Sequence, residues 1–287
     1  MNRLFIALTL FLAAVCLPAP AGAQTPLSPT AAPSYSPAEL DRVVSRIALY
    51  PDPLLAQVLA ASTYSDDIPE ADAWADGHHY LTGDRLSDAI VADQLPWDPS
   101  VQALLPFPSV LDMMADDMVW TDELGNAVLA DRAQVMDAVQ RMRHEAWTYG
   151  YLRTNAQVTV TSGPYIEILP AGPDYIAVPI YDPRIVFAPP RRGLAVASAI
   201  RFSSGIRVGV EFLPWGWGAS RFEWPTHTVI INLTPWERTW INRRTYEHPF
   251  AVRRYAGSHP IERHELRPEE NRARHARRSD DRHHASS

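Results

Sequence analysis

The sequence predicts an α+β protein: an N-terminal bundle of short helices, then a small antiparallel β-rich region, then a disordered C-terminal tail. Three observations predict this. Between residues 36 and 150, apolar residues recur at helical spacing behind a series of proline-containing, acidic or hydroxyl-bearing starts. From residue 156 the apolar period drops to two, as in half-buried strands. Beyond about Gly257, five of the ten histidines are interleaved with Arg and Glu and almost no apolar residue remains, so that stretch has nothing with which to build a core.

The first residues read as an export signal over 1–23. Arg3 supplies the positive start, Leu4 to Leu17 the apolar run, and Ala21-Gly22-Ala23 the small-residue cleavage site. The mature chain then begins at Gln24, and an exported, periplasmic location is expected. The apolar run is short for a membrane span, and no later segment is long enough without charge. The single cysteine, Cys16, lies inside that run. The preceding Ala13-Ala14-Val15 does not fit a lipidation signal, so the mature chain is expected to lack thiols, disulfides and Cys-ligated metals.

Charge is divided unevenly. Residues 24–150 carry 20 Asp and Glu against six Arg, and residues 151–287 carry 13 against 19, with no lysine anywhere. A net charge of −7 on an exported chain argues against nucleic acid as a partner.

Residues 24–35, rich in Pro, Ser, Thr and Ala, read as a linker, and a helical domain follows over 36–153. Ser36-Pro37-Ala38-Glu39 is a capping box with proline at the first helical position, and Leu40, Val43, Val44 and Ile47 form the buried stripe. Pro51 ends that helix. Asp52-Pro53 starts the next, with Asp52 expected to accept from first-turn amides ahead of Leu54, Leu55, Val58 and Leu59. Asp67 with Glu70 predicts a helix carrying Trp74 and Leu81, and another short helix follows around Leu86 and Ile90. Asp98-Pro99 repeats the Asp52-Pro53 pattern, and Val110, Leu111 and Met114 mark a further helix. Asp131 with Gln134 announces the longest, through Val135, Met136, Val139, Met142 and Ala146.

Short strands are expected over 154–190: Val158 with Val160, Tyr165 to Ile168, Tyr175 to Val178 with Pro179 on an edge, and Ile185 to Phe187 beyond the Asp182-Pro183 turn. A Gly/Trp-rich β region over 191–256 should hold strands at Ile206–Phe212 and Thr228–Asn232. Thr234-Pro235-Trp236-Glu237 predicts a short helix with Trp236 and Trp240 on one face. The Arg/His-rich tail occupies 257–287.

Several stretches, in order, also resemble a known family: "IALYPDPLLAQVLAASTY", "LPWDPSVQALLPFPSVLDMM", "DELGNAVL", "VMDAVQRMR" and "YIAVPIYDPRIVF", with "GVEFLPWGWG" and "NRRTYEHP" after them. They are similar to the bacterial exported family catalogued as domain of unknown function 3300. The resemblance implies the fold and the compartment, and brings no activity with it.

Candidate chemistry is sparse. Asp52, Asp66, Asp67, Glu70, Asp72 and Asp76 lie close in sequence, and two of them across a cleft would suit acid/base work. Asp52, Asp67, Asp98 and Asp131 already have expected roles as helix caps. His78 and His79 are adjacent, about 100° apart on a helix, so they do not chelate as an i, i+4 pair would; no metal and no cofactor is expected. There is no nucleophile elbow, P-loop or dinucleotide fingerprint. The remaining candidates are aromatic: Trp215, Trp217 and Trp224 are the candidate binding residues, Trp215 and Trp217 being the ones a Gly-flanked turn would expose, with ordinary burial in a core as the competing reading. The leading reading is therefore a non-enzymatic exported envelope protein that contacts an envelope protein or cell-wall component. The alternative is a cell-wall polysaccharide binder or hydrolase using exposed Trp and a carboxylate pair.

Overall fold

The structure, a computed structural model, describes residues 31–172, 174–190 and 198–249. The expected export signal and the Arg/His-rich tail lie outside these residues. Met1–Ala32 and Pro33–Ser287 are separate units, and the second is described here.

Among the described residues, seven α-helices precede the first strand: α1 Pro37–Val44, α2 Asp52–Ser62, α3 Ile68–Gly77, α4 Asp84–Ala92, α5 Pro99–Gln102, α6 Pro108–Asp116 and α7 Met118–Thr148. The α+β class and its order are as the sequence predicts. Ser36 and Glu39 form the expected capping box on α1, and Asp98 caps α5 by accepting from the Ser100 amide at 2.9 Å. The long helix begins earlier than its Asp131 start signal. It runs from Met118 and kinks at Asp131 (φ −155°, ψ 89°), where the Asp131 carboxylate accepts from the Gln134 amide and restarts the hydrogen-bond ladder. Helix α7 also passes so close to the end of α2 that a methyl at Gly125 would lie 2.1 Å from the Ser62 carbonyl oxygen. Only glycine permits that crossing.

Two caps expected from sequence are absent. Asp67 makes no side-chain cap bond, and α3 stops at Gly77, leaving Leu81 in the turn beyond it. The N-cap position of α2 is Pro51, and Asp52 caps nothing. Its carboxylate is used elsewhere, as described below.

Asp117 does cap α7, accepting from the Trp120 amide at 3.1 Å while pairing with Arg46 at 2.7 Å. These contacts, the backbone bond first and Arg46 after it, hold its pKa below the ordinary carboxylate value. A depressed native pKa means stability that is present above the unfolded value of about 3.9 and lost as pH falls through the native one. Between about pH 5 and pH 3, wild type should therefore lose stability more steeply than Asp117→Asn. Denaturant midpoints across that range check this.

The strands are short and antiparallel. β1 Val158–Ser162 pairs with β2 Ile166–Pro170, β3 Tyr175–Ile176 with β6 Ile206–Arg207, and β4 Pro179–Tyr181 with β5 Ile200–Phe202. β7 Arg221–Glu223, β8 Thr228–Ile231 and β9 Thr234–Pro235 make a three-stranded meander. Three segments depart from the sequence reading. Ile185 and Val186 belong to a one-turn helix, α8 Pro183–Val186, because Asp182 caps it and Pro183 occupies its first position. The strand at Ile206 ends after two residues, and Val210–Trp215 winds into a 3₁₀ helix. The helix expected at Thr234 is instead a hairpin arm. Asn232 and Leu233 both adopt positive φ (49° and 64°), the pair of conformations that a tight two-residue hairpin turn requires.

One apolar cluster runs from Leu40 of α1 through α2, α5, α6 and α7 to Phe212, Val229 and Trp236, so the Trp-rich region completes the helical core. A smaller cluster around Leu49, Ala146, Ile168 and Val186 lies under the β1–β2 hairpin.

Candidate functional site

Asp52 was the first candidate acid, and its surroundings define its role. It is 3 % exposed, and its Oδ1 lies 2.7 Å from Nη1 of Arg143, which is itself fully buried on α7. Arg143 also donates to the backbone carbonyls of Ala48 (2.8 Å), Ile166 (2.8 Å) and Tyr50 (3.0 Å). The Trp224 indole donates to the other Asp52 oxygen at 3.3 Å, and the guanidinium lies over the Trp224 ring, 5.1 Å from its centroid. Burial pushes the Asp52 carboxyl above its ordinary range, and Arg143, Trp224 and the Ile168 amide pull the other way. Four elements thus meet at one buried ion pair: α2, α7, β2 and the turn carrying Trp224. An uncompensated buried guanidinium costs several kcal/mol, whereas a cap bond is worth about 1 kcal/mol. The carboxylate therefore faces Arg143 and not the helix end.

The expected aromatic patch is not on the surface. Trp215, Trp217 and Trp224 are 1 %, 0 % and 2 % exposed. The Trp215 indole donates to Gln102 Oε1 at 2.9 Å, and the Trp217 indole donates to the Ala103 carbonyl at 3.1 Å. Gly216 and Gly218 take positive φ (87° and 82°), and a methyl at Gly216 would lie 3.0 Å from the Asn232 amide nitrogen. The Gly-flanked turn thus folds both indoles inward, where each ring is packed and its N–H is satisfied.

The other acids are dispersed. Glu70 accepts from the Trp97 indole at 3.4 Å. Asp67 is half-buried, which raises its carboxyl pKa, and Asp72 is buried. Asp66 and Asp76 are exposed. Among the described residues, no group of three or more His, Cys, Asp or Glu side chains is placed to hold a metal ion.

A surface cleft of about 470 Å³ lies between the α3–α4 connection, the α5–α6 connection and the β3–β6 pair. Its apolar wall includes Leu81, Leu86, Leu105, Pro106, Ile206 and Phe212, and its polar rim His78, His79, Tyr175, Ser203, Ser204 and Arg207. His78 is set by its neighbours: its ring stacks on Trp74 at 3.9 Å, its Nδ1 donates to the Trp74 carbonyl at 2.8 Å, and its Nε2 lies 4.0 Å from Asp93. His79 Nδ1 faces the Asp76 carbonyl at 2.7 Å. Beside them Tyr80 is 69 % exposed, and Tyr175 on the opposite wall is 53 % exposed. Among the described residues, no Asp or Glu lines the cleft, although the chain has 33. Its volume is that of a small-ligand site, about 300–1,000 Å³.

Sequence reasoning passed over most of these residues. His78 and His79 stood out as a histidine pair, but Tyr175, Ser203, Ser204 and Arg207 come from a distant segment and carry no motif. Arg143 did leave a signal. It stands four residues after Val139 and three before Ala146, on the apolar stripe of α7, where an arginine is buried and needs a partner.

The profile of a family described as "Protein of unknown function (DUF3300)" matches residues 36–259. The chain is also similar to the uncharacterized protein YacH of Escherichia coli (strain K12). The two are 35 % identical over 209 residues, which is 61 % of this chain and 33 % of that protein. The chain thus spans about a third of the length of that relative. No solved structure matches significantly. No helix among the described residues is long and apolar enough to cross a membrane.

Proposed function

The chain belongs to the DUF3300 family, and from that premise and the make-up of the cleft we propose that it is a non-enzymatic interaction module of the cell envelope. The observation that supports this most is the lining of the cleft: an apolar wall, a rim of imidazole, hydroxyl, phenol and guanidinium groups, and, among the described residues, no carboxylate. Such a lining binds by apolar burial with a few orienting hydrogen bonds. Hydrolysis of a glycosidic bond by opposed carboxylates would need two acids across the site, roughly 5–9.5 Å apart. None of the acids singled out in the sequence is among the residues that line this cleft, and Asp52 is committed to Arg143. The export signal read at residues 1–23 supports the envelope location.

A photo-crosslinking residue at Tyr175, compared with one at Val119 (80 % exposed and away from the cleft), tests this in cells. Fractionation should put the protein in the periplasm. Intact mass should show discrete adducts from position 175 and none from position 119. Equal adducts at both positions, or a cytosolic protein, would refute the reading.

A further inference from the structure

Resting on the cleft being the contact site, we infer that its ligand is a small amphiphile with an aliphatic body and an anionic group, the anion being read by Arg207. The apolar wall draws on Leu81 of the α3–α4 turn, Leu86 of α4, Leu105 and Pro106, and Ile206 and Phe212. An aliphatic chain laid along it removes apolar surface from water on both partners, at about 25 cal/mol per Å². A recess of about 470 Å³ is in the size range of a site for a free small molecule.

Charge decides the head group. In a chain of net charge −7, the lining residues include one full charge, and it is positive. Arg207 is exposed, and its guanidinium makes no hydrogen bond or ion pair with another described residue. Its five N–H groups are therefore open to a carboxylate or phosphate, which they match in fork geometry. Glu211 folds over Gly209 and reaches within 3.6 Å of where a side chain at Gly83 would begin. Glu211 makes the Gly83 end of the cleft unfavourable for an anion and favours the head group at Arg207.

The test is calorimetric titration of the intact chain with decanoate, decanol, decyltrimethylammonium and anionic phospholipid vesicles. Decanoate should bind one to one, with decanol roughly two- to fivefold weaker and the ammonium weaker still, the range expected for one solvent-exposed ion pair. Arg207→Gln should weaken decanoate by the same roughly two- to fivefold and leave decanol unchanged. Leu81→Glu, on the half-buried rim, should weaken all three, with unchanged helical circular dichroism showing that the fold is kept. Equal affinity for all three head groups would overturn the anionic inference and leave the cleft as an apolar contact site. Binding to vesicles but not to decanoate would overturn the free-amphiphile inference. Failure of every probe, with Tyr175 adducts still forming in cells, would overturn the amphiphile and spare the interaction reading; loss of those adducts is what overturns that reading.

Discussion

Asp52→Asn should destabilise the protein by about 3–5 kcal/mol, the cost of removing one partner from a buried ion pair. Asparagine keeps an oxygen beside Arg143 and could equally well have capped a helix. It removes the negative charge, however, and leaves a guanidinium at 0 % exposure with no counter-ion. At roughly 2–4 °C per kcal/mol for a chain of this size, the melting temperature should fall by about 6–20 °C. If Asp52 were only a cap, Asn would be nearly neutral. The converse change, Arg143→Met, should be as damaging, because the carbonyls of Ala48, Tyr50 and Ile166 lose a donor along with the charge. Joining Arg143→Met to Asp52→Leu should recover part of the loss, since both charges go, but not the part due to those three carbonyls.

Trp217→Ala should cost about 3–5 kcal/mol, the range for emptying a large aromatic site in a core. Its ring is fully buried, 5.0 Å from the Phe107 ring centroid, and its indole hydrogen bond to Ala103 ties the Gly/Trp turn to the end of α5. Trp215→Ala should behave alike and also strand Gln102 Oε1. A loss of binding in either variant would report unfolding and not a missing contact. Trp217→Phe separates the two: it restores most of the packing, so partner contacts should return with stability. Denaturant midpoints measured beside crosslinking at Tyr175 check both statements.

The helical half was legible because its signals are local. A capping box at Ser36, an Asp-Pro start at Asp98 and a 3.6-residue stripe from Val135 to Ala146 each lie within one element. What escaped the sequence depends on partners far along the chain. The same Asp-Pro pattern caps at Asp98 and not at Asp52, because only Asp52 meets a buried arginine, 91 residues away. The Gly-flanked turn at Trp215–Trp217 looks solvent-exposed until Gln102 and the Ala103 carbonyl are brought beneath it. Thr234-Pro235-Trp236-Glu237 satisfies a helix-start pattern, but the αL pair Asn232–Leu233 has already turned the chain back into β9. The cleft was the least legible feature. Its walls come from four separate stretches, and what distinguishes it, the absence of acids among the described lining residues, emerges only when they are together.

The measurement that tests the account most directly is guanidinium unfolding of wild type and Asp52→Asn, followed at once by helical circular dichroism and tryptophan fluorescence. If the Asp52–Arg143–Trp224 cluster joins the helices to the Trp-rich region in one core, the two probes should coincide in each protein. Both should then move together to lower denaturant in the variant, by an amount equal to about 3–5 kcal/mol. Unshifted curves in Asp52→Asn, or a fluorescence transition that moves while the helical one stays, would contradict it.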